Sequence, residues 1–262
     1  MSKTVKEHCF ARISVISQPF WLFLNSFRRV NPCGLRVRVD AGTGAGQAEL
    51  PVGYPRQSLA ADGTALPFQA IYQGGTTKSL PSLNAPNMAD VKAAGMQLEL
   101  SGTKTYWSNQ KTMQSFVNGI LAPYFEKAKV RLALPPSQKS LWQIDVWSVH
   151  RSEEFRTWMK KEHPTILLDY IPGGCTSVHQ PCDVGIQRPL KLSIRRSYHE
   201  DIVEEMREKL EKTGGIKSVD DRLGTVRERS VRWIWNAYQT INQPALVKMV
   251  SRINTHLIYV DQ

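Results

Sequence analysis

Three carboxylates fall where a chain of this kind could do metal chemistry. Asp145 follows the short apolar run Leu141-Trp142-Gln143-Ile144, and Asp183 lies beyond a second apolar run at residues 165–171. If the two runs are parallel strands joined by a helix, their C-terminal ends open on one edge of the sheet, the usual ligand crevice of an α/β fold. Asp40 closes a third strand candidate at residues 35–39 and can reach the same edge. Three converging carboxylates would hold two divalent cations, which activate a water and stabilise the leaving oxygen in phosphodiester cleavage. Mg²⁺ or Mn²⁺ suits such hard oxygen ligands. The plain alternative is that an Asp at a strand end serves only as a turn or cap residue.

The elements that must position these acids are legible in the pattern. Asp62-Gly63 is a favoured two-residue hairpin turn, leading into the apolar run at 66–72 and a stop at Gly74-Gly75. Residues 76–95 are rich in Ser, Pro, Asn and Ala and read as a surface loop. Met113, Phe116, Val117, Ile120, Leu121, Tyr124 and Phe125 follow helical spacing, with Ser108 or Asn109 as cap and Pro123 as a kink or split. Ser152 caps a further helix, with Glu153 and Glu154 in its first turn and Phe155, Trp158 and Met159 on its buried face. After Asp183 a helix carries Ile186, Leu190 and Ile194 inward. A last helix carries Trp233, Trp235, Tyr238 and Ile241.

Composition bounds the function. The chain has 262 residues, 41% of them hydrophobic and 22% charged, enough for a core without disulfides. The net charge of +11 attracts polyanions, nucleic acid first among them. Four cysteines without a CxxC pair argue against a zinc ribbon and for a reducing compartment. The apolar stretch at 13–27 is interrupted by Gln18, Pro19 and Asn25, so no membrane partner is expected, and Glu7 in the basic region with no A-x-A cleavage site argues against a secretion signal.

Two segments resemble a known family. The run Ile144-Asp145-Val146-Trp147-Ser148-Val149-His150 looks like the D-N-x-x-x-H segment of DDE-superfamily endonucleases. The run from Ile171 to Gly185 resembles their P-x-x-T-S-x-x-Q-P-x-D-x-G segment, with Gln180-Pro181, Asp183 and Gly185 in place. The match is to transposases of the Tigger, Pogo and Jerky kind. Residues 66–74 also resemble strands of that domain, so the resemblance covers roughly 56–255.

The resemblance implies an α/β, ribonuclease-H-like fold: a mixed sheet with antiparallel first strands and parallel later strands, flanked by helices. It implies two-metal phosphodiester chemistry with Asp145 as second acid, Asp183 as third and Asp40 as first. His150 and Gln180 become near-site residues. His150 either donates to a carboxylate or to DNA, or is an interior histidine satisfied by backbone. Lys191 and Arg195 face phosphates or else form a solvated helix face.

The sequence departs from the pattern at Val146, where the family has Asn. It departs more at Val37-Arg38-Val39-Asp40-Ala41-Gly42-Thr43-Gly44, which matches the first-acid segment only loosely. Residues 1–55 form a divergent N-terminal segment that supplies a first strand or none. They are too short for the paired helix-turn-helix modules of a full transposase. Residues 56–213 form the endonuclease domain, and 214–262 its helical extension.

The expectation is a transposase-derived DDE endonuclease domain that binds nucleic acid, most readily DNA, in the nucleus, with a homo-oligomer as a further partner. It would cut with Mg²⁺ or Mn²⁺ if the first acid is present. Otherwise it is an inactive domesticated or degenerate copy that binds DNA or a protein partner.

Overall fold

A computed structural model describes residues 14–18, 52–53, 55–171, 185–213 and 218–258. The described strands are β1 (Ser14–Gln18), β2 (Gln57–Ala60), β3 (Gln69–Tyr72), β4 (Gln97–Leu100), β5 (Ser140–Ile144) and β6 (Ile166–Tyr170). Four of them form a sheet in the order β2-β1-β5-β6. β1 runs antiparallel to β2, with Ser17 opposite Ser58, and parallel to β5, with Ser17 opposite Ile144. β5 and β6 are parallel, with Ile144 opposite Tyr170. β3 and β4 form a parallel pair. Antiparallel bridges from Val52 to Tyr72 and from Arg56 to Gln69 tie that pair to the chain entering β2. Five strands therefore point their C-terminal ends the same way, and β2 runs against them.

The hairpin turns at Asp62-Gly63, but over three loop residues, 61–63, where the dipeptide predicts two: the Gly63 amide donates to the Ala60 carbonyl at 3.1 Å. The Ala60 amide donates to the Thr64 carbonyl at 2.8 Å, and Asp62 Oδ1 accepts from the Thr64 amide at 2.9 Å. Gly63 has φ +99°, a conformation side chains resist.

Eight helices are described: α1 (Met88–Ala93), α2 (Gln110–Phe116), α3 (Ala122–Arg131), α4 (Ser148–Arg151), α5 (Glu153–Glu162), α6 (Gln187–Thr213), α7 (Leu223–Ile241) and α8 (Pro244–Ile258). Asn109, not Ser108, caps α2. Its side chain accepts from the Thr112 amide at 3.1 Å, while Thr112 Oγ1 accepts from the Asn109 amide at 2.8 Å. Pro123, expected to kink or split the long helix, is accommodated in a helical run that stays unbroken through a π turn. It sits in the first turn of α3, where its missing N–H matters least, and a π turn at Val117–Leu121 joins α2 to α3. Ser152 caps α5 by accepting from the Phe155 amide at 3.1 Å.

The loop expected at 76–95 is corrected. It contains a 3-10 turn at Thr77–Ser79 and the helix α1, whose Met88 and Val91 are buried in the core that holds α7. Two turns of apolar residues were hidden by the surrounding Ser, Pro and Asn.

Two apolar cores form. One gathers Leu59, Phe68, Ala70 and Tyr72 with Ile186, Leu190 and Ile194, then with α7 and α8 through Trp233, Ile241 and Val250. The other gathers Ala60, Trp142 and Ile144 with Phe116, Leu121 and Phe125, and with Phe155 and Met159 of α5. Adjacent residues Leu59 and Ala60 belong to different cores, as side chains alternate across a strand. The buried face of α5 is as the spacing predicts, with Trp158 only partly covered.

Candidate functional site

Asp145 follows the last residue of β5, where the strand leaves the sheet. Its neighbours fix that exit: the Ile171 amide donates to the Ile144 carbonyl at 2.9 Å, closing the β5–β6 ladder beside it. The single turn of α4 then brings His150 back beneath Asp145. His150 is fully buried, and Asp145 is one-fifth exposed. His150 Nδ1 lies 2.7 Å from Asp145 Oδ1 and 3.3 Å from the Asp145 carbonyl. Tyr170, at the end of β6, donates its hydroxyl to the His150 carbonyl at 2.7 Å.

The ring is packed by aromatic neighbours. Trp147 meets it edge-on at 5.2 Å, with Trp142 and Phe155 at 6.2 and 6.1 Å. This burial lowers the His150 pKa despite the hydrogen bond to Asp145. The neutral ring therefore donates from Nδ1 to the carboxylate. His150 Nε2 is buried and has no hydrogen-bond partner among the described residues. Of the two readings of His150, the structure joins parts of both: an interior histidine that also donates to the acid.

Arg56 is the charged neighbour that motif reading did not find. It is buried just before β2, with Nε 3.3 Å from Gln69 Oε1 and Nη2 3.2 Å from Ser108 Oγ. Its Cζ lies 5.3 Å from the centre of the Phe116 ring, a cation–π contact. Burial pulls the guanidinium down to about 10, opposed by the carboxylates of Asp145 and Glu99. It stays protonated at neutral pH and presents a fixed positive charge to Asp145. No sequence spacing announces this, because Arg56, Gln69, Ser108 and Asp145 meet only when β2, β3, α2 and β5 assemble.

The remaining predicted site residues divide cleanly. Asp40, Gln180 and Asp183 lie outside the described residues, as does the strand candidate at 35–39. The place beside β5 is held by β1, drawn from earlier in the chain. By register, Asp145 stands level with Gln18, the residue after Ser17. β1 reads Ser-Val-Ile-Ser-Gln and contributes no carboxylate to that edge. Lys191 and Arg195 lie on α6, half-buried and exposed respectively, beside the inward-facing Leu190 and Ile194.

The sequence matches the family model described as DDE superfamily endonuclease over residues 57–248. No curated protein and no solved structure matches the chain. Proteins of that family generally use a divalent metal. Among the described residues no group of three His, Cys, Asp or Glu side chains comes together. Of the three predicted acids Asp145 alone lies among the described residues, with its carboxylate held by His150. Among those residues, too, no helix is long and apolar enough to cross a membrane.

Proposed function

The chain belongs to the DDE superfamily of endonucleases, and on that footing we propose that it is a transposase-derived domain that binds nucleic acid without cutting it. The observation that carries this reading is the register of β1. The strand beside Asp145 ends in Gln18, level with it and without a carboxylate to share a metal. Losing one of three acidic ligands removes charge compensation and positioning together. The net charge of +11 still favours DNA. The sheet order, with one antiparallel pair beside parallel neighbours, supports a ribonuclease-H-like arrangement, and the motif resemblance at 144–150 and 171–185 supports a Tigger, Pogo or Jerky type. That ancestry supports residence in the nucleus.

A second reading keeps the nuclease. Asp145 stands at the strand end, with His150 holding its carboxylate. With Asp183 as third acid and Asp40 reaching in as first, a Mg²⁺- or Mn²⁺-dependent centre would be complete. In that case Gln180 steadies the turn that presents Asp183.

One experiment separates the two. Binding of a fluorescent 30-base-pair duplex (about three helical turns) is measured across salt, alongside nicking of supercoiled plasmid with Mg²⁺ or Mn²⁺. Salt-sensitive binding without nicking is expected. Metal-dependent nicking that is lost in Asp145→Asn, Asp183→Asn and Asp40→Asn would replace the first reading with the second. Absence of DNA binding would overturn both.

A further inference from the structure

Beyond Asp145, the same edge of the molecule carries a second polar feature. An open cleft of about 540 Å³ lies past the C-terminal ends of β3 and β4, and Gly74, Gly75, Gly102, Thr103, Lys104 and Arg227 are among its lining residues. The two loops that form it are tied to each other: the Gly74 amide donates to the Thr103 carbonyl at 2.8 Å, and the Gly102 amide to the Gly74 carbonyl at 3.0 Å. Gly74 and Gly102 have φ of +129° and +74°, so both loops are built around backbone that side chains disfavour. A Cβ at Gly75 or Gly102 would meet nothing within 4 Å, so their backbone faces open space.

Arg227 of α7 forms one wall. Its Nη1 donates to the Lys78 carbonyl at 3.0 Å, which fixes the guanidinium. Its Nε is buried and has no hydrogen-bond partner among the described residues. Arg227 lines the cleft, and an oxyanion is the acceptor that suits a planar guanidinium fork. Lys104 adds a second, exposed cation, and Thr103 and Ser79 add hydroxyls.

We propose that this cleft holds a backbone phosphate of the same nucleic-acid strand that passes Asp145. The proposal rests on the nucleic-acid reading above. β3 runs parallel to β5, so the cleft and Asp145 open toward the same side. Four residues of strand and three strand spacings separate them, on the order of 20 Å. A strand rising 3.4 Å per nucleotide covers that in about six steps.

The test measures affinity for the 30-base-pair duplex against salt for Lys104→Ala, Gly75→Glu and, as a charge control, Lys160→Ala on α5. Gly75→Glu places a carboxylate in the cleft at a position with room for a Cβ. Lys104→Ala is expected to reduce the salt slope by about one. Its deficit against wild type should shrink about threefold between 50 and 200 mM salt. Gly75→Glu should weaken binding more, and Lys160→Ala should change little. Equal effects of Lys104→Ala and Lys160→Ala would show a mere net-charge effect and overturn the proposal. If inorganic phosphate raises the melting temperature of the wild type while neither cleft variant alters duplex binding, the cleft takes a free anion and the proposal fails. Loss of duplex binding by the wild type would instead overturn the nucleic-acid reading on which it rests.

Discussion

At the scale of single residues, the Asp145–His150 pair dictates a pH response. Burial holds the folded His150 pKa below its ordinary value of 6.5. Below that value the unfolded chain binds the proton more readily than the folded one, so stability is full above pH 6.5 and falls as pH drops through it. His163, also depressed by burial, acts in the same sense. Urea unfolding between pH 7.5 and 5.5 is expected to show this decline, and His150→Asn should remove the His150 share while leaving the rest. The same substitution should lower stability at pH 7.5 by roughly 2–3 kcal/mol, since it empties the space between Trp142, Trp147 and Phe155. Asp145→Asn should be mild, within about 1 kcal/mol, because an amide oxygen still accepts from His150 Nδ1–H. A large loss there would mean that the ring is charged instead. Arg56, by contrast, holds its charge in a buried setting through Gln69 of β3, the Phe116 ring of α2 and Ser108 just ahead of α2.

At the scale of elements, the helix that flanks the sheet is the most demanding. Its start depends on the reciprocal bonds between Asn109 and Thr112, so Asn109→Ala should cost about 1 kcal/mol in equilibrium unfolding. Its π turn carries Gly119, where an added Cβ would run into the Gln97 side chain. Gln97 Nε2 otherwise donates to the Ser115 carbonyl at 3.4 Å, tying β4 to α2. Gly119→Ala should therefore destabilise by roughly 1–3 kcal/mol, and Gln97→Ala in the same chain should recover part of it. A neutral Gly119→Ala would show that Gln97 swings away freely. These elements matter to function because α2 also delivers Ser108 and Phe116 to Arg56.

At the scale of the whole molecule, two apolar cores share one sheet. Phe155 and Ile241 belong to different cores, both fully buried. Phe155→Leu should cost about 1–2 kcal/mol and Ile241→Val about 0.5–1.5 kcal/mol. If the sheet couples the cores into one cooperative unit, the double variant should unfold in a single transition with the two losses adding within about 0.5 kcal/mol. Two separate transitions would mean that the layers fold apart. Leu59 and Ala60, adjacent on β2 and buried one in each core, argue for one unit.

The chain's local chemistry determined much by itself. The Asp62-Gly63 turn, the caps at Asn109 and Ser152, the strand–helix–strand unit around Asp145 and the inward row Ile186, Leu190 and Ile194 all follow from short-range pattern. Each depends on residues a few positions apart, where backbone geometry leaves few choices. Family membership was legible for the same reason, since its motifs are contiguous. Strand order was decided elsewhere. That Ser14–Gln18 stands beside β5, that the Arg56 charge is felt with that of Asp145, and that two glycine loops and Arg227 line one cleft are outcomes of long-range pairing. β1 is a short strand, Ser-Val-Ile-Ser-Gln, at the start of an apolar stretch whose pattern does not announce a strand, and pairing on both edges is what gives it a place in the sheet.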